Sequence, residues 1–476
     1  MSRFSCVLLL AFGCTSAQAK IAVDTGSLQL LFSPHGDLVS VTACLPDCTM
    51  PEARSQLFSS YRGFISVNRN SDALFELQRR NGEHSIELIF TNLVSLESRR
   101  WRIPHHGYLI GLEVNRPQGL AMAADEALLP ADSAGFAQWL ESPRYVRVSQ
   151  QDVAQFGLDE AMAPVDAGGK WVGYRNRFWT AMLRAEQDAQ ARARAEGPLA
   201  IAQWDLAGPH TSLARYTVYA GPVEWRTLQF AAPELEGMVY AGLWSPLQWL
   251  SRALSYLLSG IHGLVASWGL AIILLSLLVQ VLMLPLNRYA ERLQADVRDT
   301  EIRLAPHLRE IRQSSRGAEQ AERIMRLYRE QRVHPLYSLK SMMGLLFLVP
   351  VFIAAFNMLA ENPWLAGEAF LWISDLSQPD TVAQLPFSIP FLGSGVNLLP
   401  LLMTVLSIIA AWLQNRGVSD ALARQRLGRR LWLMSLAFLL LFYTFPAGMV
   451  LYWTVNNASA VVTRVWKGWQ GASQFA

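Results

Sequence analysis

The apolar run from Trp268 to Leu286, WGLAIILLSLLVQVLMLPL, holds one strongly polar side chain, Gln280. Counted from Leu264, the run has 23 residues, about 34 Å as a helix and enough to cross a bilayer. Gln280 then lies about 9 Å inside the end that Leu286 closes, too deep for its amide to reach lipid headgroups. An amide in hydrocarbon is costly without a partner or water, so it is expected to face the protein interior. Two readings stand. The amide lines a hydrated groove within the membrane, the reading preferred here, or it is a packing amide bonded to a neighbouring helix.

Cys44 and Cys48 form the other chemistry-bearing pair, since Cys6 and Cys14 fall in the first 19 residues. Their C-x-x-x-C spacing around Pro46 differs from the C-x-x-C of redox enzymes. It suggests a structural disulfide in an oxidising compartment, with two buried thiols as the plainer alternative. No G-x-S-x-G, H-E-x-x-H or P-loop occurs, and the eight His are scattered without Cys/His clusters. The sequence therefore predicts no enzyme, no metal site and no cofactor. Nor are there the mid-membrane ionisable pairs or broken-helix repeats of a small-solute transporter, since Asn357, Asn456 and Asn457 are the main other polar residues of the apolar segments.

These residues need a membrane scaffold, and the composition fits one. Of 476 residues, 51% are hydrophobic, 16 are Trp and only 17% are charged, which is low for a wholly soluble chain. A net charge of +3 gives no reason to expect nucleic acid. Residues 1–19 read as a cleavable signal peptide, with Arg3, an apolar core from Phe4 to Phe12, and the A-x-A site Ala17-Gln18-Ala19. A retained anchor is the alternative. From 20 to 232, short alternating runs such as Leu28–Phe32, Ser85–Thr91 and Tyr108–Val114 predict an exported all-β sandwich domain. Ala185 to Glu196, rich in Ala, Arg, Glu and Gln, reads as an exposed turn or short helix.

The rest reads as a multi-span α-helical membrane bundle. Residues 233–263, with Trp244, Trp249, Tyr256 and a central Arg252, suit an amphipathic helix at the outer membrane interface. Five transmembrane helices are expected: 264–286, then four within 336–466, at about Met342–Leu359, Asn397–Leu413, Leu431–Phe445 and Met449–Val465. Between the first two, 287–335 reads as a cytoplasmic helical hairpin. Leu293, Val297, Leu304, Leu308 and Ile311 fall at helical spacing, as do Ala321, Ile324, Leu327 and Tyr328, around a turn at Ser314-Ser315-Arg316-Gly317. Pro306 is expected to kink the first arm. That segment carries 11 Arg against 8 acidic residues, and Asn415–Arg430 carries five Arg against one Asp. The loop from Glu361 to Gln384 has four acidic residues and no Lys or Arg. Both basic loops are therefore expected inside and the acidic loop outside, with a cytoplasmic tail at 467–476.

Several motifs sit in a fixed order along this half. Tyr219-Ala220-Gly221-Pro222 precedes Pro233-Glu234-Leu235-Glu236, Trp268-Gly269 opens the first span, and Leu284-Pro285-Leu286 ends it. Val333-His334-Pro335-Leu336, Pro350-Val351-Phe352 and Leu371-Trp372-Ile373 follow, and the last span opens on Phe445-Pro446-Ala447-Gly448-Met449-Val450-Leu451-Tyr452-Trp453. From about Tyr219 to Trp466 this order resembles the YidC/Oxa/Albino family of membrane protein insertases. Family members usually carry an arginine where this chain has Gln280. About three extra residues between Pro335 and Pro350 include Lys340, which either snorkels to the surface or serves as a displaced cation.

The resemblance implies an insertase and membrane chaperone, in which a polar groove receives a substrate's tail and an apolar slide receives its hydrophobic segment. It places Gln280, Ser276, Trp453 and Tyr452 against the substrate. It implies newly made membrane proteins and the lipid bilayer as partners, with the Sec translocon and the ribosome as further candidates. The location implied is the bacterial inner membrane, with the large domain in the periplasm. The alternative is a non-inserting scaffold or specialised assembly factor derived from the same fold.

Overall fold

A computed structural model describes residues 20–49, 54–59, 63–67, 75–115, 119–124, 140, 142–149, 152–157, 162–166, 170–196, 199–206, 213–334, 337, 343–415 and 421–473. Residues 1–19 and Lys340, on which the signal-peptide and displaced-cation readings rest, lie outside them. The chain divides into two compact units that part near Met238.

The first unit is built from two antiparallel sheets of nine described strands each. One runs in the order Ile21–Asp24, Leu28–Phe32, Leu38–Leu45, Ile65–Val67, Leu120–Ala124, Leu199–Leu206, Ala189–Glu196 and Met162–Asp166, with Arg54–Ser59 paired to Leu38–Leu45. The other runs from Asp152–Gly157 through Arg144–Ser149, Trp171–Arg175, Trp179–Ala185, Ala214–Pro222, Leu109–Val114, Ser98–Pro104 and Ser85–Asn92 to Phe75–Asn81. Alternation makes these strands two-faced: Ile86, Leu88 and Phe90 point into the core while their neighbours do not. The sheets meet through Phe32 and Trp101, whose rings lie 5.3 Å apart, and Trp101 Nε1 donates to the Gly36 carbonyl at 2.8 Å. Arg99, fully buried, is held there by Asp37 and Glu97, each at 2.7 Å. The sulfurs of Cys44 and Cys48 are bonded at 2.10 Å, beside the Tyr108 hydroxyl that donates to the Cys44 carbonyl at 2.6 Å.

One expectation fails in this unit. Ala189–Glu196 is a strand, paired on both sides, and not a turn or helix. Its sequence AQARARAE alternates small apolar with polar residues, a period-two pattern that alanine's helix propensity masks. Ala189 and Ala191 are buried on one face. The unit closes with a short helix α1 (Trp225–Ala231), capped by the Glu224 carboxylate, and a 3-10 turn (Pro233–Met238).

The second unit is helical: α2 (Ser245–Val265), α3 (Trp268–Ser314), α4 (Gly317–Glu330), α5 (Met343–Ala360), α6 (Leu398–Asn415), α7 (Ala421–Phe442) and α8 (Ala447–Ser473). A small hairpin of Thr381–Ile389 and Gly393–Asn397 precedes α6. On α2, Leu247, Ser251, Leu254 and Leu258 are buried while Trp249 is exposed, so the helix is two-faced, and it begins at Ser245 rather than at 233.

The helix that carries the first apolar run does not stop at Leu286. The 47-residue α3 runs through Pro285 and Pro306 as one helix into the first arm of the hairpin. Each proline removes one N–H donor, but the good helix formers Arg288, Ala290, Glu291 and Arg292 carry the helix on. The turn falls at Ser315–Arg316, with Gly317 at φ +65°. Among the described residues, α3 alone is long and apolar enough to cross a membrane, while Leu348–Ala360 and Leu398–Leu413 are shorter apolar helices.

Candidate functional site

The site grows from the seam between α3 and α8. Ser267 caps α3, its hydroxyl accepting from the Leu270 N–H at 3.5 Å, and Gly269 leaves room for the Phe370 ring. A Cβ at Gly269 would lie 2.1 Å from the Phe370 ring. The segment from Phe370 to Asp380 lies across the helix starts: the Gln378 and Leu376 carbonyls accept from Ala447 and Gly448 N–H, each at 2.8 Å. These bonds satisfy two of the orphan donors at the start of α8. The Asp380 carboxylate does the same for α6, accepting from Leu399 N–H at 2.6 Å and from Trp372 Nε1 at 3.1 Å. Burial pushes the Asp380 carboxyl up from its ordinary range, while those hydrogen bonds pull it down.

Deeper in the seam, three polar side chains form a chain. The Ser459 hydroxyl on α8 donates to Gln280 Oε1 on α3. Gln280 Nε2 donates to Ser276 Oγ at 3.5 Å, and the fully buried Ser276 hydroxyl donates to the Tyr452 carbonyl at 3.2 Å. Asn456 Nδ2 meets the same carbonyl at 3.1 Å. Ser459 is seven residues beyond Tyr452, two helical turns along one face, so it meets α3 four residues below Ser276. Gln280 is half-buried. An amide has two N–H donors and two acceptor lone pairs. With one of each engaged, one donor and one lone pair remain on Gln280.

Tyr452 contributes its backbone to this chain, while its ring and Trp453 belong to a separate apolar cleft. Trp453 packs edge-on against Phe352 of α5 with centroids 4.5 Å apart, and stacks against Phe442 of α7 at 6.0 Å. Phe356, Leu359 and Met449 complete the lining. Gln280 is not part of that cleft. The sequence-predicted residues therefore separate into a polar seam holding Gln280, Ser276 and the Tyr452 backbone, and an aromatic cleft holding the Tyr452 and Trp453 rings.

Sequence reasoning missed Ser459, whose only signal was its place two turns beyond Tyr452. It also missed a second polar seam, between α8 and α6. There Asn457 Nδ2 donates to Ser407 Oγ at 2.8 Å, and Arg464 Nη1 donates to the Ala410 carbonyl at 2.8 Å. Among the described residues, no group of three or more His, Cys, Asp or Glu is placed to hold a metal ion.

Residues 260–468 match the family described as 60Kd inner membrane protein. The membrane protein insertase YidC of Syntrophobacter fumaroxidans is 29% identical over 309 residues, 62% of this chain and 53% of that protein. YidC of Pseudomonas putida is 30% identical over 345 residues, 69% of this chain and 54% of that protein. The chain thus spans about half the length of the curated relatives it matches. A crystal structure described as an active YidC insertase with its first transmembrane domain resolved aligns with 93% of this chain and 92% of that one. Its sequence identity is 17% and its TM-score 0.35, too weak a likeness to bear on the fold. Through residues 260–468, the chain belongs to the YidC/Oxa/Albino family of membrane proteins that its motifs resemble.

Proposed function

We propose that this protein is a membrane protein insertase and chaperone of the bacterial inner membrane, with no enzymatic step and no cofactor. The observation that carries the reading is the half-buried Gln280 amide, held between α3 and α8 with hydrogen-bonding capacity left over. A polar tail crossing hydrocarbon loses its water, and each unpaired polar group costs a few kcal/mol. Seam groups that can exchange bonds with the tail lower that cost. The aromatic cleft around Trp453 offers a neighbouring apolar surface for the hydrophobic segment, whose burial in lipid supplies the driving force.

In this reading the apolar part of α3, with α5, α6, α7 and α8, makes five spans. Lipid-facing positions account for the exposure of Leu274, Leu277 and Val281 on α3 and of Trp432, Leu436 and Leu440 on α7. The β domain stands in the periplasm and the hairpin in the cytoplasm. Newly made membrane proteins and the bilayer are the partners, and the Sec translocon and the ribosome are the further candidates.

One observation favours a second reading. Both ends of the Gln280 amide are already bonded, as a packing amide would be in a non-inserting scaffold or assembly factor. Depletion of the cell's insertases followed by rescue with this chain separates the two. Restored insertion of single-span substrates supports the insertase. A chain that is present at normal level and correctly folded, yet restores none, leaves the scaffold.

A further inference from the structure

The chain Ser459 to Gln280 to Ser276 to the Tyr452 carbonyl has a direction. Each hydroxyl or amide N–H donates to the next acceptor, and the chain ends on a helix carbonyl that already serves Asn456. Ser276 is fully buried on α3 and cannot leave without abandoning its partners. Ser459 is half-buried on the facing helix, and a serine hydroxyl can turn to its own helix backbone instead. The bond at Ser459 is therefore the one that can open at least cost.

We propose that Ser459 is a latch on Gln280: its hydroxyl holds the amide across the α3–α8 seam, and release of that bond lets the amide turn and offers both lone pairs of its carbonyl oxygen to an incoming polar segment. This rests on the insertase reading. It makes Ser459 a positioning residue that acts through Gln280. A donor such as a backbone N–H, a Ser, Thr or Asn side chain or a protonated carboxyl would take its place. An ionised carboxylate would not, because it brings only acceptors to an acceptor oxygen.

The test reconstitutes the full chain in lipid vesicles as wild type, Ser459→Ala, Ser459→Thr, Gln280→Leu and Ser459→Ala/Gln280→Leu. The measurement is insertion of single-span substrates whose short tails carry either Ser and Asn or only Ala. Without the latch, the Ser459→Ala variant should insert the Ser/Asn tails about threefold better, the factor of one weak net hydrogen bond, and the Ala tails unchanged. Ser459→Thr should behave as wild type, and the gain should vanish when Gln280 is Leu. A Ser459→Ala gain that survives Gln280→Leu, or no gain in a well-folded variant, overturns the latch.

A second measurement reads the contact itself. The pair Gln280→Cys/Ser459→Cys should be bridged readily by a short bifunctional thiol reagent in the empty protein, and more slowly when a substrate occupies the seam. No crosslink in the empty protein overturns the latch whatever the insertion result. A cysteine pair that crosslinks, beside a wild type that inserts nothing, overturns the insertase reading instead.

Discussion

In the proposed function, the neutral side chain of Gln280 bears on how a substrate's charge is treated. A guanidinium at that depth would attract an acidic tail by ~1–4 kcal/mol at effective dielectrics between protein surface and water, whereas a neutral amide offers a tail one hydrogen bond of about 1 kcal/mol. We expect this chain to discriminate little between tails with and without Asp. The Gln280→Arg variant should acquire a preference for acidic tails, and Gln280→Leu should weaken insertion of all polar tails. Insertion of single-span substrates differing only in the number of tail Asp residues measures both. An arginine variant with unchanged charge dependence would mean that no substrate tail meets position 280. Gly269 tests the packing above it. Its missing Cβ is the space the Phe370 ring fills, so Gly269→Ala must push that ring aside. Overpacking of this kind typically costs ~1–3 kcal/mol, and a lowered unfolding temperature in detergent should report it. A variant as stable as wild type would mean that the outer loop yields freely.

The elements were largely legible, for particular reasons. Strands such as Ser85–Asn92 announce themselves through strict alternation, and α2 through its apolar stripe beneath exposed tryptophans. Ala189–Glu196 did not, because alanine marks a buried face weakly and favours helices on propensity alone. The continuity of α3 was hidden by Pro285, which reads as a stop in one dimension. Ser459 was hidden for a different reason: its partner lies 179 residues away, and no local pattern encodes that pairing. The hairpin of lower α3 and α4 yields the prediction proper to this scale. Its seam buries only a few side chains, among them Val297, Leu304 and Leu327, and its ion pairs Glu319–Arg323 and Glu322–Arg326 are exposed. Such pairs contribute little stability. Replacing Leu293–Tyr328 by a short linker should therefore leave the remaining helices assembled, as judged by gel filtration and thermal unfolding, while insertion falls severalfold. Full insertion activity after the deletion would reduce the hairpin to a solvated loop.

At the scale of the whole molecule, loop charge is the argument for the proposed orientation. Moving the segment 287–335 across the membrane would carry 11 Arg to the outer face, and moving 415–430 would carry five more. The loop 361–384 carries none, so the arrangement with both basic segments inside satisfies the positive-inside bias at every turn. The cysteine content makes this directly testable. Cys44 and Cys48 are bonded to each other, which leaves Cys6 and Cys14 as the other native thiols. In a Cys6→Ala/Cys14→Ala background, single cysteines at two exposed sites can report on the two faces: Ala383→Cys in the hairpin before α6, and Ser314→Cys at the tip of the long helix. A membrane-impermeant maleimide added to intact spheroplasts should label the cysteine at 383 and spare that at 314, and permeabilisation should expose both. Labelling of 314 from outside would invert the helical unit. It would place the Gln280 end of the seam toward the periplasm, and a groove receiving tails from the cytoplasm could not then be built from these residues.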